Sequence, residues 1–334
     1  MTDLKQLVTE LHSLGSYPSN TKTRPLLTNI KAHPDCSDEL YEQINAACVQ
    51  EAGWIMGGAD FNSLEDMISA LTTRDKNKLK VYTDGYCGHC IRAYSYFGDQ
   101  MPDIDPNSVE SINSIADKYP LLRQDSKVPT FALTYLGTWH TLVSNLGLTE
   151  ELAKRIEKNY HELYKESDAW TAKKLEIASK TGYVEGAFGL RVRTPMLAQT
   201  ILGKKSTPYE AQKESRTAGN ALGQSYGMLN NRAAIEFQDR VLKSPYAHDI
   251  KPIGMIHDAI YFIFTDKMDV VKWINKNLIG CMQWQELDEI KHGTVKLGAG
   301  LELFPTWADT VKIPNDATNQ QILAAVQEYK EGNK

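Results

Sequence analysis

Two rhythms of apolar residues alternate along this chain. Short dense runs of aliphatic and aromatic residues lie towards its two ends, Trp54-Ile55-Met56-Gly57-Gly58-Ala59-Asp60 and the stretch from Gly254 to Phe264. Their length, β-branched and aromatic content and flanking glycines predict strands, and a further strand is expected near 293–298. Between them the apolar residues recur at three and four, which predicts helices over about 37–51, 62–72, 75–98, 107–118, 123–145, 149–179, 208–243 and 267–279. Leu4, Leu7, Val8 and Leu11 mark an amphipathic helix at the start, and Gly182 to Arg193 predicts a glycine-turned hairpin. Asn62 or Ser63 is placed to cap the helix carrying Leu64, Met67, Ile68 and Leu71. Strands near both ends with helices between them predict an α+β fold with a discontinuous sheet domain and a mostly helical insert.

Two of the strands carry aspartates. Asp60 closes the first, and His257-Asp258 falls in the middle of the last apolar stretch. A buried carboxylate needs a cation or hydrogen bonds, and a structural hydrogen-bonded Asp is the plain reading of either residue alone. Together they mean more. Two aspartates brought side by side repel unless a cation lies between them, and paired Mg²⁺ ions held this way serve in-line phosphoryl transfer.

The helical region has its own pattern. Arg123, Lys127, Phe131 and Tyr135 are spaced by four, as are Arg216, Asn220 and Gln224. The first set stacks two cations and two aromatics on one helix face, which suits a polyphosphate joined to a base. The second presents long hydrogen-bonding side chains that could meet minor-groove acceptors with little sequence preference. Solvated polar faces and core aromatics would give the same spacing.

Composition narrows the picture only a little. The chain has 334 residues, long enough for two domains, and a formal net charge of -5, so any nucleic-acid-binding surface has to be local. Five cysteines (Cys36, Cys48, Cys87, Cys90, Cys281) at irregular spacing fit a reducing cytoplasm. No apolar run nears the roughly 20 residues of a membrane helix, so an intracellular protein without a membrane partner is expected. Cys87-Gly88-His89-Cys90 invites a zinc or redox reading, but no second ligand pair follows at finger spacing, and the two cysteines are read as helix residues.

Taken together, these stretches resemble the family A DNA polymerases, the bacterial DNA polymerase I type. Asp60-x4-Glu65 is similar to motif A, Arg123-x3-Lys127-x3-Phe131-x3-Tyr135 to motif B, and His257-Asp258 to motif C. Arg216-x3-Asn220-x3-Gln224 is similar to a helix that contacts primer-template. Leu27-Thr28-Asn29-Ile30, His89 before Phe97-Gly98, Gly182-Tyr183-Val184-Glu185 and Gly298-Ala299-Gly300 resemble smaller segments of the family, in one order over about residues 20–310.

The resemblance implies a template-directed DNA polymerase with a discontinuous palm built on an antiparallel sheet and a helical fingers insertion. It divides the chain into palm 1–72, fingers 73–207 and palm 208–334. Asp60, Asp258 and the Phe61 carbonyl would hold two Mg²⁺ ions, with Mn²⁺ possible. Lys127 would act on the triphosphate and leaving group, helped by Arg123 and His89. Phe131 and Tyr135 would pack on the base, and Glu65 would stand where a ribose 2′-OH would fall. Arg216, Asn220, Gln224, His257 and Asn29 would touch DNA.

No thumb or exonuclease segment is recognisable, so a second polypeptide carrying the thumb and a 3′→5′ exonuclease is expected, as in a split phage polymerase acting in the host cytoplasm. The chain departs from the family pattern at Ala259, where a Glu is usual, at Asp66, where an apolar residue is common, and at Pro129 inside motif B. The Arg that precedes motif A has only Arg24 as a loose counterpart. A single-subunit RNA polymerase relative is the alternative that Glu65 disfavours, because those enzymes have a small residue there. An idle subunit that only binds primer-template is the other alternative.

Overall fold

A computed structural model describes residues 6–7, 29–37, 40, 53–199 and 209–332. The chain forms two compact units, one of residues 1–62, 230–284 and 298–334, the other of 63–229 and 285–297. These divide at 62/63 and 229/230, whereas the sequence pattern divides at 72/73 and 207/208. Most of the expected helix at 37–51, the segment around Leu4 to Leu11, Leu27-Thr28 and Arg24 lie outside the described residues.

The first unit is built on a five-stranded antiparallel sheet. Its strands are β1 (Trp54–Phe61), β4 (Ile250–Ile256), β5 (Ala259–Thr265), β6 (Ala299–Leu303) and β7 (Val311–Ile313), in the order β4-β5-β1-β6-β7. A two-stranded ribbon elsewhere supplies β2 (Tyr183–Glu185) and β3 (Arg191–Arg193). Ile55, Gly57, Ala59 and Phe61 alternate inward along β1, as a half-buried strand requires. Gly57 has a packing reason: a Cβ there would come within 2.6 Å of the Phe264 ring on the neighbouring strand. Helix Met268–Met282 packs against β1, β5 and β6, and helix Asn319–Gly332 lies against that helix, β6 and β7. Phe262 touches Phe264 (centroids 5.3 Å) and Phe237 (5.7 Å), and Phe237 meets Trp273 (5.9 Å). Truncating Phe262, which is 1% exposed, would cost roughly 3–5 kcal/mol.

Three expectations for this unit are corrected. The apolar run at 254–264 is not one strand but the end of β4, a two-residue turn at His257-Asp258, and β5. The late strand begins at Ala299 rather than 293. β7 and helix Asn319–Gly332 were not foreseen at all. β4 hides in the sequence because it is an edge strand: Pro252 and a register shift after it interrupt its pairing, and its Ile253, Met255 and Ile256 face outward.

The second unit is helical, apart from β2 and β3, and packs around Tyr96, Phe97, Met101, Ile115, Leu133, Leu142, Ile156, Tyr160 and Tyr164. Its helices are shorter than the periodicity suggests. The expected 75–98 helix is two, Lys76–Thr83 and Gly88–Phe97, parted by Asp84 to Cys87 with Gly85 left-handed. Likewise 107–118 divides at Ser114, and 149–179 at Tyr164, giving Glu150–Leu163 and Lys165–Thr181. The expected 123–145 helix becomes Pro120–Asp125, Lys127–Thr134 and Trp139–Leu146, with Leu136 left-handed before the last. The expected 208–243 helix is Tyr209–Gln224 and Met228–Leu242, joined by a tight turn at Ser225–Gly227. Helix Leu64–Thr73 follows β1, but Ser63 heads it in a left-handed conformation with no side-chain cap hydrogen bond, unlike Asp75, whose carboxylate accepts from the Asn77 and Lys78 amides.

Candidate active site

β1 and the β4–β5 turn bring the two aspartates together. Asp60, next to last in β1, pairs with Ala259 on one side and Gly300 on the other. Asp258, one residue before Ala259, therefore lies beside it, and the Phe61 amide donates to the Asp258 carbonyl at 3.4 Å. The Asp60 carboxyl is raised from 3.8 to about 6, first by burial among its neighbours and then by the charge of Asp258, with Glu302 adding to the push and the Phe61 backbone opposing it. Its side chain still reaches solvent.

This is a donor set for a hard cation. Two adjacent carboxylates, one kept protonated at mildly acidic pH by burial and then by its neighbour's charge, would be relieved by a divalent ion. Among the described residues no third His, Cys, Asp or Glu completes a metal-binding cluster. Glu302, held at 3.5 Å by Lys312, contributes field without joining the set.

The turn that presents Asp258 is strained and braced. His257 has φ 53, a left-handed conformation that costs a non-glycine residue on the order of 1 kcal/mol or more. The fully buried Asn230 donates its side-chain amide to the carbonyls of His257 (3.2 Å) and Ala259 (3.1 Å). Sequence reading passed over Asn230. Its signal was a polar residue in line with Ala233, Phe237 and Val241, all of which are buried.

The other predicted residues, Asn29 excepted, lie in the helical unit. Tyr135 donates its hydroxyl to Glu65 at 2.5 Å, and burial together with that carboxylate raises the Tyr135 phenol. Glu65 and Tyr135 line one cleft with Asn220, Gln224 and Lys78. Lys78, another residue the sequence reading missed, donates to Ser69 at 2.6 Å, and burial lowers its pKa. Asn220 has its Oδ1 buried with no hydrogen-bond partner. Phe131 is 55% exposed, and Lys127 is half-buried.

One continuous motif B helix is corrected to two. Pro129 cannot donate a backbone hydrogen bond, so the second helix starts at Lys127 with Pro129 in its first turn, where that donor is dispensable. Ser126 at the joint stays in the right-handed helical region (φ -74, ψ -20), and Tyr135 falls at the C-cap. Arg123 is turned to Cys87 Sγ at 3.8 Å. His89 accepts from Arg92 at Nδ1 (3.1 Å) and is kept neutral by burial first and by Arg92 next. Arg216 and Gln224 are exposed on helix Tyr209–Gln224, and Asn29 is exposed on its own short helical stretch.

The model of DNA polymerase family A matches residues 2–309. The chain belongs to DNA polymerase family A. Similar proteins include the thermostable DNA polymerase I of Thermus thermophilus, 29% identical over 59% of this chain and 21% of that protein. The DNA polymerase of Mycobacterium phage D29 is 22% identical over 42% of this chain and 21% of its own. The chain thus spans about a fifth of the length of the curated relatives it matches. A structure of the POL domain of Pol1 from M. smegmatis in complex with DNA primer-template and dNTP shares the fold, with a TM-score of 0.57 at 17% identity over 92% of this chain and 56% of that one. No helix among the described residues is long and apolar enough to cross a membrane.

In this family A chain two of the sequence departures, Asp66 and Ala259, have local surroundings that fit them. Asp66 forms a two-pronged ion pair with Arg92 (3.2–3.4 Å), whose side chain is buried and would otherwise be an unpaired charge. Ala259, where a carboxylate is usual, is buried with its carbonyl held by Asn230. A charged side chain there would have to leave that packing.

Proposed function

We propose that the chain performs template-directed DNA synthesis, joining a deoxynucleoside monophosphate to a primer 3′-OH with release of pyrophosphate. The observation that carries this reading is the Asp60–Asp258 pair, set at a strand end and a braced turn in a family A chain. Two Mg²⁺ ions, or Mn²⁺ in their place, would be held by Asp60, Asp258 and the Phe61 carbonyl, and when bound supply a more acidic primer hydroxyl and neutralised phosphate charge. Asp60 ionises as pH rises through about 6, and its carboxylate together with that of Asp258 would fix where the cations sit.

On this reading the Lys127 ammonium contacts the triphosphate and gives a proton to departing pyrophosphate. Arg123 adds charge-assisted hydrogen bonds to the phosphates, and neutral His89 donates from Nε2 while Nδ1 stays with Arg92. Exposed Phe131 stacks on the incoming base with Tyr135 beside it. Glu65, steadied by the Tyr135 hydroxyl, excludes a ribose 2′-OH. Arg216, Asn220, Gln224, His257 and Asn29 hold primer-template, and palm and fingers correspond to the sheet and helical segments.

The second polypeptide with thumb and 3′→5′ exonuclease, and a phage source, belong to the same proposal; the phage D29 relative supports the latter. Co-elution of the chain with such a partner on gel filtration tests the pairing, and full processivity without it would count against it. Primer extension tests the activity, with synthesis expected to follow the template base and to require Asp60 and Asp258.

A further inference from the structure

Cys87 and Cys90 lie outside the proposed chemistry of synthesis, yet their surroundings are those of a reactive pair. Cys87 is the N-cap of the ten-residue helix Gly88–Phe97, where unpaired backbone amides favour negative charge. Arg123, from helix Pro120–Asp125, directs its guanidinium at the Cys87 sulfur (3.8 Å). Cys90 is one turn further on; its amide donates to the Cys87 carbonyl at 3.0 Å, and its thiol donates to the Asn113 carbonyl at 3.9 Å.

Asn113 braces the loop, accepting from the Cys87 amide (2.7 Å) and donating to the Gly85 carbonyl (2.9 Å). Both thiols are free; Cys87 is half-buried, while Cys90 is fully buried. An accessible cysteine at a helix start, with a buried one three residues on, has the layout of an attacking and a resolving thiol. Residues at this spacing also lie within the Cα separation a disulfide allows.

We propose that Cys87 and Cys90 form a redox-active dithiol that is oxidised by hydrogen peroxide to an intrahelical disulfide. The Cys87 thiolate attacks one peroxide oxygen, forming an S–O bond as the O–O bond breaks, and the second oxygen leaves as water after taking a proton. The Cys90 sulfur then attacks the sulfenic sulfur. The S–S bond forms, the S–O bond breaks, and the Cys90 proton leaves with the hydroxide as a second water. The two sulfurs have given up two electrons, and the peroxide has become two waters. Closure also removes the sulfur charge that Arg123 faces.

The electrostatics agree with this division of roles. The Cys87 thiol is drawn down to about 4, chiefly by the neighbouring Cys90 and then by Arg123, against the opposing effect of burial, while Cys90 is pushed up by its partner. His89 on the same helix is a further titratable neighbour, and burial lowers its pKa. A thiolate of low basicity is also a weaker nucleophile. With a Brønsted slope near 0.45, the roughly 100-fold gain in thiolate at pH 7 is cancelled, whereas at pH 5 a net advantage of about 50-fold over an ordinary thiol remains.

The full chain, reduced and then exposed to about one equivalent of hydrogen peroxide, is digested with trypsin and mapped by mass. The expected product is the 81–92 peptide lighter by two hydrogens and restored by dithiothreitol, formed before Cys36 or Cys281 changes. Cys90→Ser should stop at a Cys87 sulfenic acid that dimedone labels. At pH 5, iodoacetamide should label Cys87 some tens of times faster than Cys36. Oxidation of Cys36 or Cys281 with the 81–92 peptide still reduced, or equal labelling of Cys87 and Cys36 at pH 5, would overturn the proposal.

Discussion

The side-chain amide of Asn230 donates to the His257 carbonyl at 3.2 Å and, with its other reach, to the Ala259 carbonyl at 3.1 Å, so that Asp258 is held between two anchored peptides. This places a fully buried helix residue in control of a left-handed turn and of the carboxylate it displays. Asn230→Ala leaves two carbonyls without this donor and should lower stability by about 1–3 kcal/mol. It should also weaken Mg²⁺ binding although it removes no proposed ligand. Urea midpoints and calorimetric Mg²⁺ titration check the two effects. Unchanged Mg²⁺ affinity in a folded variant would show that the turn holds its shape unaided.

Protonation of Asp60 gives a second expectation. Its folded pKa of about 6 lies above the ordinary 3.8, so between these values the native state holds more protons than the unfolded chain. The stability this contributes is therefore complete below pH 3.8 and is lost as pH rises through 6. Cation binding has the opposite slope, because it needs the ionised pair: Mg²⁺ affinity should climb as pH rises through about 6, with proton release below it. Asp258→Asn should bring the Asp60 pKa down by removing the neighbouring charge. Carboxyl-carbon NMR titration of wild type and variant reads both values.

The Glu65–Tyr135 hydrogen bond makes a prediction about sugar choice. Glu65→Ala should raise ribonucleotide incorporation by about tenfold or more, equivalent to some 1.4 kcal/mol of lost discrimination. Tyr135→Phe leaves the carboxylate in place without its tether and should shift selectivity the same way by less. Competition between dNTP and rNTP in single-nucleotide extension measures both.

Asp66 tests whether a departure from the family pattern is structural. Asp66→Leu leaves the Arg92 guanidinium, 7% exposed, without its carboxylate. The expected loss is about 2 kcal/mol, below the 3–5 kcal/mol of a fully buried pair, because Asp66 is itself half exposed. Adding Arg92→Met should recover most of it. Denaturation midpoints of the two single variants and the double variant give the coupling.

Much of the fold could be read from hydrophobic rhythm: β1, the β2–β3 ribbon, helix Met268–Met282 and the helical character of the middle all follow from it. Helix ends were less legible. Ser126, Tyr164 and Ser225–Gly227 break long periodic stretches while the apolar spacing runs on, and nothing in the sequence announces the break at Tyr164. The His257-Asp258 turn stayed hidden because a two-residue turn without glycine leaves an apolar run looking unbroken. That Asp60 and Asp258 could meet was legible from their places on two apolar strand-forming stretches. Asn230, Lys78 and the Glu65–Tyr135 contact were not, since each depends on which helices meet, which no local spacing records.

Primer extension on a primed template with Mg²⁺ and dNTPs, comparing wild type with Asp258→Asn, tests the central claim most directly. The account predicts template-matched extension by wild type and loss of nearly all of it in the variant, with the variant's circular dichroism and urea midpoint close to wild type. Extension by Asp258→Asn at the wild-type rate would contradict it.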